Sequence, residues 1–135
     1  MPTKTSSPKK PSTKATEPRP PEKLSPAALG MVAEFFKVLS EVSRLQIVCS
    51  LRTGAKNVTE IIAETGLGQA NVSKHLKILT QAGIVAREQQ GVCVYYQIAS
   101  PFLFDLCEQV CEALSLQVER QNQQLQELAG MRQGL

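Results

Sequence analysis

Aromatic side chains are scarce in this chain, which has two Tyr, four Phe and no Trp among its 135 residues. That scarcity argues against a base-stacking platform or an aromatic cage for a cation. His75 is the sole histidine, so a histidine-based metal site or proton relay would lack partners. No apolar run approaches the roughly 20 residues that cross a bilayer. The opening Met1-Pro2-Thr3-Lys4 lacks the apolar core of a secretion signal, and the protein is therefore expected to be cytoplasmic, with no membrane partner. Cysteine occurs at Cys49, Cys93, Cys107 and Cys111, without a Cys-x-x-Cys pair. A disulfide framework is not expected in a reducing compartment. No nucleophile elbow, phosphate-binding loop or paired-carboxylate pattern occurs, so no enzyme activity and no resident cofactor are expected. At 14.7 kDa the chain has room for one domain, which excludes a two-domain dehydrogenase or a barrel enzyme.

Charge is present, and it is unevenly placed. Residues 1–25 carry six Lys and Arg against Glu17 and Glu22, together with six of the eight prolines. Met1, Ala15 and Leu24 are the only apolar side chains there. Such a segment cannot bury enough surface to offset its ordering entropy, and residues 1–25 are expected to form a disordered basic tail. Residues 26–100 carry a mild excess of two positive charges, whereas 101–135 hold five acids against Arg120 and Arg132. A polyanion should therefore meet the front of the chain.

Order is expected over residues 26–135. Ser25-Pro26 is a helix start, followed by Ala28, Val32, Phe35, Phe36 and Leu39 at helical spacing. Ser40-Glu41 restarts the chain into a second helix aligned on Leu45, Val48 and Leu51, which Gly54 stops. Asn57-Val58-Thr59-Glu60 has the form of a capping box and opens a short third helix that Gly66 ends. A fourth helix is expected over 69–81, closed by Gly83. Val72, Leu76 and Leu79 fall within about 60° of arc on it. The opposite face holds Ala70, Ser73, Lys74, Lys77 and Gln81, and the helix has no acid at all. Helices three and four, with the glycine turn between them, have helix-turn-helix spacing. Two β-rich runs, Ile84–Gln89 and Val92–Ile98, surround Gln90-Gly91 and predict a hairpin, a wing with Arg87 near its base. Ser100-Pro101 is expected to cap a last helix of about 30 residues with Leu103, Leu106, Val110, Leu114, Leu125 and Leu128 as its stripe. So long a helix has no obvious core of its own to cover, and pairing with a second copy explains it.

Lys37-Val38-Leu39-Ser40-Glu41-Val42-Ser43-Arg44-Leu45-Gln46-Ile47-Val48 resembles the junction of helices 1 and 2 in arsenic-repressor-type (ArsR/SmtB) winged-helix regulators. Val72-Ser73-Lys74-His75-Leu76-Lys77-Ile78-Leu79, followed by Ala82-Gly83-Ile84-Val85, resembles their recognition helix and its exit. Gly91 with Tyr95-Tyr96-Gln97-Ile98 resembles their wing and last strand. The likeness runs over about residues 30–115, in order. It implies a mainly α winged helix-turn-helix with a two-stranded wing, dimerising through its first and last helices. It also implies a repressor that binds double-stranded operator DNA until an inducer releases it. On that fold Gln69, Ala70, Asn71, Ser73 and Lys74 are expected in the major groove, with His75, Lys77 and Arg87 positioning the protein on phosphates. A constitutive architectural DNA-binding protein, or a module for a non-DNA partner, are the alternatives of a different class.

The resemblance leaves the inducer open. Family members with a thiolate site near helix 3 carry Cys-x-Cys there, and Asn57–Glu64 has no cysteine. Zinc-sensing members use Asp and His on the last helix, where this chain has Ser100, Phe102, Ala113 and Leu116. The segment around Cys49 is similar to helix 2 of sulfide- and persulfide-responsive repressors, which pair that cysteine with one on helix 5. The equivalent position falls at Ser115, one turn beyond Cys111, which points to nearly the same side. A switch joining Cys49 to Cys111, or to Cys107, is one reading. Arsenite, antimonite or another soft metal bound by Cys107 and Cys111 together with Cys93 or Cys49 is a second. Four packing cysteines with no sensing role are the third.

Overall fold

The computed structural model describes residues 23–134. The expected tail, residues 1–25, lies almost wholly outside the described residues. Helix α1 spans Pro26–Leu39, and Ser25 Oγ accepts from the Ala28 N–H at 3.1 Å, as its N-cap position requires. Ser40 ends it by donating from its hydroxyl to the Lys37 carbonyl. Helix α2 spans Val42–Ser50 and tightens into a 3-10 turn over Leu51–Thr53. Helix α3, Val58–Thr65, is capped by Asn57 Oδ1 on the Glu60 N–H at 2.9 Å. Gly66 closes α3 at φ 73°, the left-handed conformation that favours glycine. Helix α4 then runs Gln69–Gln81.

Strands β1 (Val85–Gln90) and β2 (Cys93–Ile98) pair antiparallel, with Val85 opposite Ile98 and Gln90 opposite Cys93. Helix α5, Phe102–Gln133, is 32 residues long. It begins after Pro101 with no side-chain cap. The expected Ser100 cap is absent; Ser100 contributes its carbonyl, which accepts from the Leu103 N–H at 3.2 Å. One further pairing has no signal in the sequence. Lys56, between the 3-10 turn and α3, exchanges backbone hydrogen bonds of 2.9 and 2.8 Å with Tyr96 and ties the wing to the helical body.

The core is small and lies among α2, α3, α4 and the base of the wing. Ile47, Val48, Leu51, Ile61, Val72, Leu76, Leu79, Ile84 and Val85 are buried, joined by Leu39 from α1 and Leu103 from α5. Leu45, expected inside, is 38% exposed, while its neighbour Ile47 is fully buried. Ile47, Leu51 and Val48 span about 100° of the α2 wheel, and Leu45 falls roughly 60° past the edge of that arc. The outer helices are different. In α1 Leu29, Met31, Val32 and Phe36 stay exposed, and beyond Cys107 every described residue of α5 is exposed.

Candidate nucleic-acid interface

Helix α4 presents its two faces as its sequence period requires. Val72, Leu76 and Leu79 are buried, while Gln69, Ala70, Asn71, Ser73, Lys74, Lys77 and Gln81 are exposed. Gly68 stands before the helix without a side-chain cap, which leaves the N–H groups of its first turn open toward an acceptor. Three cations of α2 and of the segment that joins it to α3 are neutralised within the chain. Arg44 pairs with Glu41 at 2.8 Å, Arg52 with Glu108, and Lys56 with Glu64 at 3.2 Å. Among the described residues no carboxylate pairs with Lys74, Lys77 or Arg87.

Lys77 and Arg87 both line a cleft of about 200 Å³ between the second half of α4 and the wing. Ser73, Thr80, Gln81 and Tyr96 complete its lining. Two cations with hydroxyl and amide donors around one concavity suit a phosphate oxygen. Thr80, Gln81 and Tyr96 were absent from the expected site residues. The signal for them was available: 73, 77, 80 and 81 share one helix face, and Tyr96 sits opposite Arg87 in the hairpin register.

His75 does not lie where it was expected. It is 4% exposed and cannot reach a phosphate. On the helical wheel it stands about 40° from Leu79, on the flank of the buried stripe. Its ring lies 3.4 Å from Glu41 and 3.4 Å from Arg44, both from the start of α2.

The cysteines divide into a group of three and one outlier. Cys49 on α2 is exposed, and Cys107 on α5 is half-buried. Burial pushes the Cys107 thiol above its usual range; negative charge on Cys49 and on Cys111 pushes it the same way, and Arg52 opposes them. Cys107 therefore lies within electrostatic reach of both other thiols, at the place where the Arg52–Glu108 ion pair joins the end of α2 to α5. The likeness to sulfide- and persulfide-responsive repressors puts Cys111 ahead of Cys107 as the partner of Cys49; Cys49 and Cys111 are both among the groups that raise the Cys107 thiol. Cys93 is in β2, paired with Gln90 next to the wing turn, and is not gathered with Cys107 and Cys111. Among the described residues no three His, Cys, Asp or Glu side chains approach closely enough to hold a metal ion. The alternative set Cys93, Cys107 and Cys111 is thus not assembled within one chain. No described helix is long and apolar enough to cross a membrane.

Comparison with known proteins places these features together. Residues 41–87 match the model of the arsR family of bacterial regulatory proteins. The chain is 36% identical over 75 residues to an uncharacterised HTH-type transcriptional regulator of Mycobacterium tuberculosis, covering 55% of this chain and 66% of that one. It is 30% identical over 91 residues to the HTH-type transcriptional regulator NmtR of the same organism, covering 67% and 76%. Among solved structures, a homodimeric winged helix-turn-helix DNA-binding domain from Mycobacterium bovis, described as a possible ArsR-family regulator, superposes with a TM-score of 0.63. That match is 30% identical and covers 73% of this chain and 94% of the domain. These relatives are regulators rather than enzymes. With the helix-turn-helix, the wing and the matched residues in agreement, the chain belongs to the arsR family of bacterial regulatory proteins.

Proposed function

We propose that the protein is a homodimeric transcriptional repressor that reads operator DNA with α4 and the wing and is released by chemistry at its α2–α5 thiols. The observation that carries the DNA reading is the exposed, acid-free face of α4. Lys74 and Lys77 stand on it, Lys77 lines one cleft with Arg87 of the wing, and among the described residues no carboxylate pairs with any of the three. Gln69, Ala70, Asn71, Ser73 and Lys74 line the first half of α4 and go to base edges; Lys77 and Arg87, with Tyr96, hold a backbone phosphate. The M. bovis neighbour is a homodimer, and the uncovered apolar faces of α1 and α5 support the same assembly here. Two reading helices related by a two-fold axis would meet half-sites about 34–36 Å apart, or a multiple of that.

The effector reading rests on the thiol neighbourhood. A persulfide transfers its outer sulfur to the Cys49 thiolate and leaves as a thiolate. The Cys107 or Cys111 thiolate then attacks Cys49, displaces hydrosulfide and leaves a disulfide between α2 and α5. Such a bond ties the helical body that carries α4 to the helix that pairs the subunits, and favours one inter-subunit angle. Arsenite or another soft ion is the second reading, favoured by the i, i+4 placement of Cys107 and Cys111 on one helix face.

The test uses duplexes selected from random DNA by the full chain, with binding followed by fluorescence anisotropy over a salt series. Sequence-selective binding that falls with salt, and persulfide release that Cys49→Ser abolishes, are the expected results. Tight binding without sequence preference would turn the reading toward an architectural protein. Release by arsenite that requires Cys107 and Cys111 but not Cys49 would select the metalloid reading. A quadruple Cys→Ser protein that still responds to its inducer would remove both.

A further inference from the structure

Glu41, Arg44 and His75 form a closed set of polar contacts that the DNA-reading face does not use. Arg44 Nη1 donates to Glu41 Oε2 at 2.8 Å, while Glu41 Oε1 lies 3.4 Å from His75 Nε2. Arg44 Nη1 also lies 3.4 Å from His75 Nδ1, and Arg44 Nε donates to the Val38 carbonyl in the last turn of α1. A guanidinium can only donate. Nδ1 must therefore accept, and the ring hydrogen sits on Nε2, facing the Glu41 carboxylate. Among the described residues, Glu41 and Arg44 are the charged partners of the ring. Through these atoms the end of α1, the start of α2 and the middle of α4 are held to one another.

The location of the set is unusual for charged groups. The side chains of Arg44 and His75 are 13% and 5% exposed, beside a core of eleven buried apolar residues among the described residues. An apolar residue at 75 would join Leu76 and Leu79 without the desolvation cost that an imidazole and its charged partners carry. Polar contacts are directional, and apolar packing is not. His75 is also placed about 200° around the helix from both Ser73 and Lys77, so a contact that fixes its ring fixes the azimuth of the reading face. On the other side of the set, α1 carries the exposed apolar residues Leu29, Met31, Val32 and Phe36, the face that a partner subunit covers.

We propose that His75 is a positioning residue: with Glu41 and Arg44 it sets the angle between α1 and α4, and so converts the seating of α1 on the partner subunit into the placement of the reading face on DNA. This rests on α4 being the reading helix, as proposed above. The contact set supplies orientation, not phosphate binding, so it acts on the discrimination between sequences and leaves the salt-driven attraction alone.

The test compares His75→Leu, His75→Gln and Glu41→Gln in the full chain, using a duplex selected by the wild-type protein and a shuffled duplex of equal length. His75→Leu should fold, dimerise and melt within a few degrees of wild type, yet bind the selected duplex about tenfold more weakly. Its affinity for the shuffled duplex should be unchanged. His75→Gln has an amide that accepts from Arg44 and donates to Glu41, and should return to within about threefold of wild type. The proposal is overturned if His75→Leu keeps the wild-type preference, if Gln does not restore it, or if both duplexes lose affinity in step with a fall in melting temperature. Should His75→Leu fail to fold, Glu41→Gln decides: it should lose preference for the selected duplex, and an unchanged preference overturns the proposal. Failure of the α4 reading itself would look different, because wild type would then lose nothing on Lys77→Ala.

Discussion

Helices α2 to α4 and the two outer helices place their apolar residues in opposite ways. In the central three, Ile47, Val48, Ile61, Val72, Leu76 and Leu79 are almost wholly shielded from water. Of the sixteen large hydrophobic residues that stand exposed among the described residues, twelve belong to α1 and α5. The central region can therefore hold its shape on its own contacts, while α1 and α5 are complete only against another surface. From Cys107, the residues Cys111, Leu114, Val118, Gln121, Leu125 and Leu128 alternate by four and three along α5, the spacing of a coiled-coil seam. Of the positions flanking that seam, Glu108 is paired with Arg52 of the same chain, and Val110, Ser115, Gln117, Asn122, Gln124, Ala129 and Met131 carry no charge, so a second copy would meet little repulsion there. The reading head and the assembly surface are thus separable parts of one small chain, and a change in one should be measurable without the other.

The largest effect should come from the central region. Leu76 is 1% exposed at the centre of the core, and Leu76→Ala should cost ~2–5 kcal/mol through lost transfer energy and the cavity left behind. In a domain whose total stability is of order 5–15 kcal/mol, that removes a large share of the folding free energy. Chemical denaturation at fixed protein concentration measures it. A loss as small as that of an exposed α5 leucine would erase the distinction between the two regions.

Next in size is the outer region. Leu114→Asp and Leu125→Asp should leave the secondary structure of the monomer intact but weaken association at least tenfold each, since a charge is placed on a seam that buries apolar surface. Sedimentation at low micromolar concentration separates dimer from monomer. In wild type the denaturation midpoint should rise with protein concentration, and in these variants it should not. If both variants remain dimers, the C-terminal part of α5 lies outside the interface, and α1 carries it.

The reading head comes third. Lys77→Ala should weaken binding to all sequences by a similar factor and lower the slope of log affinity against log salt by about one unit, the signature of one lost phosphate contact. Tyr96→Phe removes only a hydroxyl from the same cleft and should have a smaller effect of the same kind. Neither should change the dimer. A Lys77→Ala protein with an unaltered salt slope would move the phosphate contact elsewhere on the head.

How far these regions could be read from the sequence follows from how local their causes are. The bounds of α4 were legible because Gly68 and Gly83 punctuate it and Val72, Leu76 and Leu79 repeat at helical period. The wing was legible because Gly91 stands between two β-rich runs, and α3 because Asn57 and Glu60 stand three apart. Two failures are local, Leu45 beyond the buried arc of α2 and Ser100 without a side-chain cap; the others involve partners distant in the chain. His75 reads as a surface residue beside Lys74, and its burial depends on Glu41 and Arg44, which precede α3. The Lys56–Tyr96 pairing depends on how the wing folds back onto the body, which no local pattern encodes. The likeness of Cys49 to a sensor cysteine was visible, but the depth of Cys107 and its nearness to Arg52 arise only when α2 and α5 meet.

The smallest effect concerns that meeting point, and its sign follows from Cys107. Its thiol is raised from the usual 9.0, first by burial and then by Cys49 and Cys111, so the folded chain holds this proton more tightly than the unfolded chain does. Folding stability from this group is fully present below the usual value and is lost as pH rises through the raised one, because the unfolded chain ionises first. At neutral pH Cys107 is therefore expected to react with iodoacetamide more slowly in the folded protein than in denaturant, beyond what restricted access alone produces, and its rate should climb only at more alkaline pH. Arg52 is the one group that lowers it. Arg52→Ala should push the rise in rate to still higher pH, even though removing the Arg52–Glu108 pair opens access to the thiol. Site-resolved mass spectrometry across a pH series separates the two effects, since access changes the plateau rate and charge moves the midpoint. A midpoint that Arg52→Ala leaves in place, or lowers, would show that the charges of the α2–α5 contact do not govern this thiol.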